Sequence, residues 1–132
     1  MSSKPEVSIL VSVFEQLAYT RRCLEAVERT LAGKVSYEVL VADNASQDGT
    51  VDYLHTLDEP QRVFFNEERK NFAANNNLLA REAGGEFLCF LNNDVFVEGD
   101  WLLPMLAFLR ENRDAGMVGN VQKLASSGRY DH

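Results

Sequence analysis

Residues 7–13 read VSILVSV, a β-branched and almost uninterrupted apolar run. A strand with one wet face alternates polar and apolar positions, whereas a strand covered on both faces does not. This run therefore predicts an interior strand of a parallel sheet. The segments after it alternate in character. Residues 18–31 carry Cys23, Leu24, Val27 and Leu31 at helical spacing with charges between them. Residues 37–42 (YEVLVA) read as a second strand, followed by the turn-rich DNASQDGT. There Ser46 and Asp48 are candidate caps for a helix starting near Gly49, with Val51, Leu54 and Leu57 on its apolar face. Residues 62–65 (RVFF) form a short strand, and 71–83 a helix rich in asparagine that Gly84-Gly85 stops. Residues 86–91 (EFLCFL) are a fourth strand, broken by Asn92-Asn93-Asp94, and 95–97 resume as a short extended piece. Asp100 is expected to cap a helix over 101–112 with Pro104 in its first turn, and 117–122 to form a fifth strand.

Alternating β and α elements predict an α/β fold, three layers deep, with a mostly parallel sheet. Right-handed crossovers limit the topologies to few; in the doubly wound, Rossmann-like strand order 3-2-1-4, which is the one expected, the switch point lies between strands 1 and 4. A length of 132 residues fits one domain spanning 1–132. Hydrophobic residues at 45% and charged residues at 25% exclude a disordered or fibrous chain. No apolar run reaches the length of a membrane span, and residues 1–6 (MSSKPE) lack the apolar core of a signal peptide, so a cytoplasmic protein is expected. Thirteen basic against 20 acidic residues give a net charge of −7, which argues against a nucleic-acid partner. Cys23 and Cys89 lie in apolar segments without zinc-site or redox-pair spacing and are expected as buried, reduced thiols.

Ligands of such sheets bind at the carboxyl ends of the strands. Those ends carry Phe14-Glu15, Asp43-Asn44, Asn66 and Asn92-Asn93-Asp94. A single Asp at a strand end is as often a turn former or helix cap, but their joint placement on one edge favours a site. No G-x-G-x-x-G follows the first strand and no P-loop occurs anywhere, so a diphosphate would need other neutralisation. A divalent cation on a carboxylate supplies it, and magnesium or manganese prefers such oxygen ligands. Asp94, just past a buried strand on a tight turn, is the metal candidate. Asp43 is the base-recognition candidate, able to accept the ring N–H of a uracil or guanine; the alternative is that it only hydrogen-bonds the 44–49 loop.

Taken in order, VSILVSVF, VLVADNASQDGT, NFAANNN, GGEFLCFLNNDVFV, GDWL and GMVG resemble the family-2 glycosyltransferases from about residue 7 to residue 132. Each motif alone is weak; their order and spacing together are specific. The resemblance implies the GT-A fold and transfer of a sugar, with inversion, from a nucleotide-diphospho-sugar to an acceptor hydroxyl. It implies that Asp43 reads the base, with uracil expected, and that Asn92-Asn93-Asp94 occupies the D-x-D position. Asp94 would then ligate Mn2+ or Mg2+ on the diphosphate, with Asn92 and Asn93 beside the nucleotide and Asn92 able to bond a ribose hydroxyl. Phe14 and Glu15 fall where the family commonly has Tyr and Asn beside the base, and Ser12 where Pro is frequent. Phe72, Ala73 and Asn77 match the family's N-x-G-F-A segment and its later Asn, so Asn77 either reaches the nucleotide or caps a local turn. Arg69 replaces the first Asn, and Asn71 replaces the Gly while tolerating its left-handed turn. Asn75 and Asn76 are expected to face solvent.

Family members run well beyond this point, and the general base is expected past residue 132. The 132 residues are thus expected to be an incomplete domain, the donor half, inactive in transfer alone and prone to homo-oligomerise through uncovered apolar faces. The acceptor is a saccharide, lipid-linked or protein hydroxyl, which allows a peripheral place at the cytoplasmic membrane face. The rival reading is a non-catalytic nucleotide-binding or interaction module on the same fold. A phospho-acceptor signalling domain fits poorly, because it needs clustered acids after strand 1 and an Asp after strand 3, where Glu15 stands alone and Asn66 is found.

Overall fold

A computed structural model describes residues 4–119, 122–123 and 130–131. The chain divides into two compact units, Met1–Val97 and Glu98–His132. In the first unit the order is β1 (Val7–Val13), α1 (Leu17–Leu31), β2 (Tyr37–Asp43), α2 (Thr50–Leu54), β3 (Gln61–Phe65), α3 (Phe72–Glu82) and β4 (Phe87–Asn92). The four strands form one parallel sheet in the order β3-β2-β1-β4, the order expected from the sequence. The register pairs Val13 with Asp43, Asp43 with Phe65 and Ser12 with Asn92. All four carboxyl ends are therefore level, along one edge.

The core explains why VSILVSV tolerates so little polarity. Ile9, Leu10, Val11 and Val13 are all completely buried. On one face Leu10, Leu40 and Ala42 pack with Leu79 of α3, and Phe64, Ala80 and Ala83 close the cluster. Ile9, Val11, Val39 and Val41 alternate to the opposite face and are buried as well. The stripe of α1 read from the sequence, Cys23, Leu24, Val27 and Leu31, is also buried. Each such Val or Leu contributes about 1.5–3 kcal/mol on leaving water.

The opposite edge of the sheet is locked by hydrogen bonds. Ser8 Oγ donates to Glu38 Oε2 at 2.6 Å and accepts from Gly85 N at 2.8 Å, while Gly84 N donates to the same Glu38 oxygen at 2.7 Å. A Cβ on Gly85 would lie 2.6 Å from both Ser8 N and Ser8 Oγ, so only glycine lets the chain enter β4 this close to β1.

Several local expectations are corrected. Helix α2 has only five residues, and Ser46 does not cap it. Instead Asp48 Oδ1 accepts from Thr50 N at 3.0 Å, an Asx turn at the helix start. Leu57 lies past the end of α2. Asn71 is not left-handed: at φ −76° and ψ 167° it is extended and caps α3, its side chain accepting from Ala74 N at 2.7 Å. With the helix phased by that cap, Asn75 falls four residues before Leu79 on the inward stripe and is buried at 1% exposure, not solvent-facing. Residues 95–97 join no strand ladder. Cys89 is half-buried, and burial pushes its thiol up to about 11; Cys23, fully buried, is pushed up to about 12 by burial and then by the Asp94 charge.

The second unit contains α4 (Leu103–Glu111), β5 (Gln122–Lys123) and β6 (Tyr130–Asp131). Leu102 stands at the N-cap of α4 without a side-chain cap bond, so Asp100 is not the cap, and Pro104 occupies the first turn as expected. Of the expected strand over 117–122, only Gln122 lies in a strand among the described residues. Residues 117–119 are irregular, 120 and 121 lie outside the described residues, and β5 pairs antiparallel with β6. No helix among the described residues is long and apolar enough to cross a membrane.

Candidate functional site

The level carboxyl ends bring two loops into contact at the edge. Glu15 and Gln16 both take left-handed φ values, 52° and 59°, as does Ala45 at 61°. Such geometry in non-glycine residues is disfavoured and persists only where surrounding bonds hold it. Those bonds are present. Glu15 N donates to Ser46 Oγ at 2.7 Å, Gln47 N donates to Glu15 Oε2 at 3.2 Å, and Asn44 N donates to the Val13 carbonyl at 2.7 Å. The β1–α1 turn and the β2–α2 loop are thereby tied together.

Asp43 closes β2 at 1% exposure. Its Oδ2 accepts from Ser46 N at 3.2 Å, whereas Oδ1 has no hydrogen-bond partner among the described residues. A buried carboxyl oxygen without a donor is costly and points to a donor supplied from outside. Asp43 lines a hollow of about 450 Å³ with Ser46, Val51, His55, Phe65 and Asn66, where the His55 and Phe65 rings stack at 4.4 Å.

A second hollow of about 480 Å³ is lined by Phe14, Asn92, Asn93 and Asp94, together with Asn44, Asn75, Arg69 and Lys70. The Arg69 guanidinium lies 4.0 Å over the Phe14 ring. Asn92, Asn93 and Asp94 sit on a turn closed by Val95 N donating to the Asn92 carbonyl at 3.2 Å. Cys23 Sγ donates to that carbonyl at 3.6 Å, and Asn93 Nδ2 to Thr20 Oγ1 at 3.1 Å, so α1 holds the turn from beneath. Asp94 itself is exposed. Arg69 and Lys70 bring two positive charges to the same hollow in a chain of net charge −7.

Asp43 and Asp94 thus stand on the same edge but in two hollows rather than one. Glu15 and Asn77 line neither: the Glu15 carboxylate holds Gln47, and Asn77 is exposed on α3. No group of three or more His, Cys, Asp or Glu gathers to hold a metal among the described residues. A lone Asp94 suits a hard cation that takes one carboxylate and completes its shell from phosphate oxygens and water, as Mg2+ commonly does. Three asparagines, Asn44, Asn66 and Asn75, join the two hollows; sequence reading set Asn44 and Asn66 on this edge without a role and missed Asn75. Asn66 Nδ2 donates to Asn75 Oδ1 at 2.6 Å and lies 3.4 Å from Asn44 Oδ1. Asn44 and Asn66 were visible at strand ends, but nothing in the pattern separated Asn75 from its two neighbours.

Comparison with known proteins bears on the fold and the family. The model of Glycosyl transferase family 2 matches residues 8–130. The glycosyltransferase AglE of Haloferax volcanii is 32% identical over 98% of this chain and 45% of its own length. A poly(ribitol-phosphate) beta-glucosyltransferase of Bacillus spizizenii is 24% identical over 93% of this chain and 20% of its own length. The chain therefore spans less than half the length of these relatives. Among solved structures, S. aureus TarS 1-349 in complex with UDP superposes with a TM-score of 0.71 at 22% identity, over 82% of this chain and 33% of that one. The mannosyltransferase PcManGT of Pyrobaculum calidifontis, in complex with GDP-Man and Mn2+, superposes with a TM-score of 0.69 at 21% identity, over 96% of this chain and 38% of that one. These two share the fold, and the family match over nearly the whole chain settles the kinship: the chain belongs to glycosyl transferase family 2.

Proposed function

We propose that this chain binds the donor of a sugar-transfer reaction, a nucleotide-diphospho-sugar with uracil as the base, and that the whole protein moves the sugar to an acceptor hydroxyl with inversion. The observation that carries this reading is Asp43. It is a buried carboxyl with one oxygen held by Ser46 N and the other without a donor, at the switch-point edge of a parallel sheet. The ring N–H of uracil is the donor it lacks. Phe14, Asn92 and Asn93 line the adjoining hollow and are assigned to the rest of the nucleotide.

Asp94 is the residue that would hold a divalent cation, Mn2+ or Mg2+, with its carboxylate. Bound there, the cation would neutralise diphosphate charge and ease its departure. Arg69 and Lys70 line the same hollow, and their charges would add to that neutralisation. Glu15 acts one step back, keeping the 44–49 loop in place through Gln47. In the transfer itself, an acceptor oxygen bonds to the anomeric carbon as the bond from that carbon to the diphosphate oxygen breaks. A general base takes the hydroxyl proton; it is proposed to lie outside the described residues, as is the site for the saccharide, lipid-linked or protein acceptor. On edge strand β4 the side chains of Leu88 and Phe90 share one face of the sheet and are about half exposed, which supports self-association of the chain.

The test is calorimetric titration with UDP in Mn2+ and in chelator. Binding is expected to be stronger by about tenfold or more with metal, and Asp94→Ala to abolish that difference. Equal, metal-independent binding in wild type and Asp94→Ala would refute the metal assignment. Absence of nucleotide binding in wild type would refute the donor reading.

A further inference from the structure

Three asparagine amides at the binding edge form a chain whose orientation can be read from one fixed end. Lys70 N donates to Asn44 Oδ1 at 2.7 Å, and Asn44 Nδ2 donates to the Lys70 carbonyl at 3.0 Å. Only one orientation of the Asn44 amide satisfies both groups of the same backbone residue. Asn66 must then present its NH2 group to Asn44 Oδ1, since two carbonyl oxygens would repel; the separation is 3.4 Å. The same Nδ2 donates to Asn75 Oδ1 at 2.6 Å. The backbone of Lys70 thereby dictates, through two side chains, which way the Asn75 amide faces.

Asn75 is 1% exposed, and its Nδ2 has no hydrogen-bond partner among the described residues. The position lies on the inward stripe of α3, where an apolar side chain would carry no such cost. It also lines the hollow of Asn92, Asn93 and Asp94. A buried amide with its oxygen satisfied and its two N–H groups unused, at the wall of a hollow, is built to meet an acceptor that arrives with a ligand. Neutral donors of this kind discriminate strongly, because a ligand without the matching oxygen leaves them unpaired.

We infer that Asn75 is a donor-binding residue: its Nδ2 donates to an acceptor oxygen of the bound nucleotide diphosphate, and Asn44 and Asn66 are positioning residues that aim it. The inference rests on the nucleotide-sugar reading above. The acceptor oxygen belongs to the base, the ribose or the diphosphate, and the ligands used in the test separate these.

The experiment titrates the chain with UDP and with uridine, in Mn2+, and records thermal melting without ligand. Asn75→Leu removes the donor at similar volume. Asn75→Asp keeps an oxygen for Asn66 and replaces the NH2 group by a second oxygen. Both variants are expected to bind UDP about 5- to 15-fold more weakly, while Asn75→Leu melts within about 5 °C of wild type. Loss with both UDP and uridine supports the inference and places the acceptor on the base or ribose; loss with UDP alone supports it and places the acceptor on the diphosphate. A lowered melting temperature with UDP affinity within about twofold of wild type for both folded variants would assign Asn75 a purely structural role and overturn it. If wild type binds UDP and both Asn75 variants bind it equally well, this inference alone fails. If wild type binds no UDP, the donor reading fails and takes this inference with it.

Discussion

Asp43→Asn separates recognition from stability at a single atom. The amide oxygen can keep the bond from Ser46 N, which the carboxylate accepts at 3.2 Å. The other position, now a carboxyl oxygen without a partner, becomes an NH2 group. In the ligand-free protein one unpartnered polar group replaces another at the same buried place, so stability should move by no more than about 1 kcal/mol. Toward uracil the change is adverse, because the ring N–H meets a donor instead of an acceptor. The loss is one charge-assisted hydrogen bond, about 1.5–3 kcal/mol, or about 10- to 100-fold in affinity. Cytosine presents an unprotonated ring nitrogen at the same position and should gain. Calorimetry with UDP and CDP on wild type and variant reads both effects, and urea melts confirm the fold. The reasoning is refuted if UDP affinity is unchanged in a folded variant, or if the ratio of UDP to CDP affinity does not fall.

Two further predictions concern the fold. Gly85→Ala sets a Cβ 2.6 Å from Ser8 N and Oγ, forcing β4 away from β1 and breaking the Gly85 N to Ser8 Oγ bond. Overpacking and the lost bond together should cost about 2–4 kcal/mol, read as a fall of about 1–2 M in the urea midpoint, and a shift below about 0.3 M would contradict the close approach. The Cys23 thiol, pushed from 9.0 to about 12 chiefly by burial and then by the Asp94 charge, stays protonated in the folded state while the unfolded thiol ionises. Its contribution to stability is therefore whole below pH 9 and is lost as pH rises from 9 toward 12. Melts between pH 8 and 11 should show a steeper alkaline decline for wild type than for Cys23→Ala, and identical slopes would contradict the burial argument.

The sheet was legible because its determinants are local. VSILVSV and EFLCFL are short apolar runs bounded by breakers, and alternation with helices leaves few topologies for four strands. Level carboxyl ends then follow from parallel pairing, so the amino-acid order alone assigns Asp43 and Asp94 to one edge. Helix caps were less legible, since Asp48, Asp100 and Asn71 all offer capping chemistry and only the local φ and ψ decide which one acts. The misplacement of Asn75 has the same root: a shift of two positions in the phase of α3, about 200°, exchanges the buried Asn75 and the exposed Asn77 in a run of three. The roles of Glu15 and Ser46 depend on a bond between loops 31 residues apart, which no periodicity reveals. The family resemblance left Asn77 either at the nucleotide or capping a local turn; Asn77 is exposed on α3 while Asn75 lines the hollow, a distinction that identity at motif positions does not carry.

The central claim, a metal-assisted diphosphate at Asp94 on the carboxyl edge, is tested most directly by paramagnetic NMR. Mn2+ added with UDP to the isotope-labelled chain broadens amide signals within a limited radius of the ion. The account predicts selective loss around 92–95, partial loss around Phe14 and 69–75, and intact signals for Ser8, Gly84 and Gly85 at the opposite edge. Loss centred elsewhere, for instance on Glu67 and Glu68, or the same loss at 92–95 in Asp94→Ala, would contradict it.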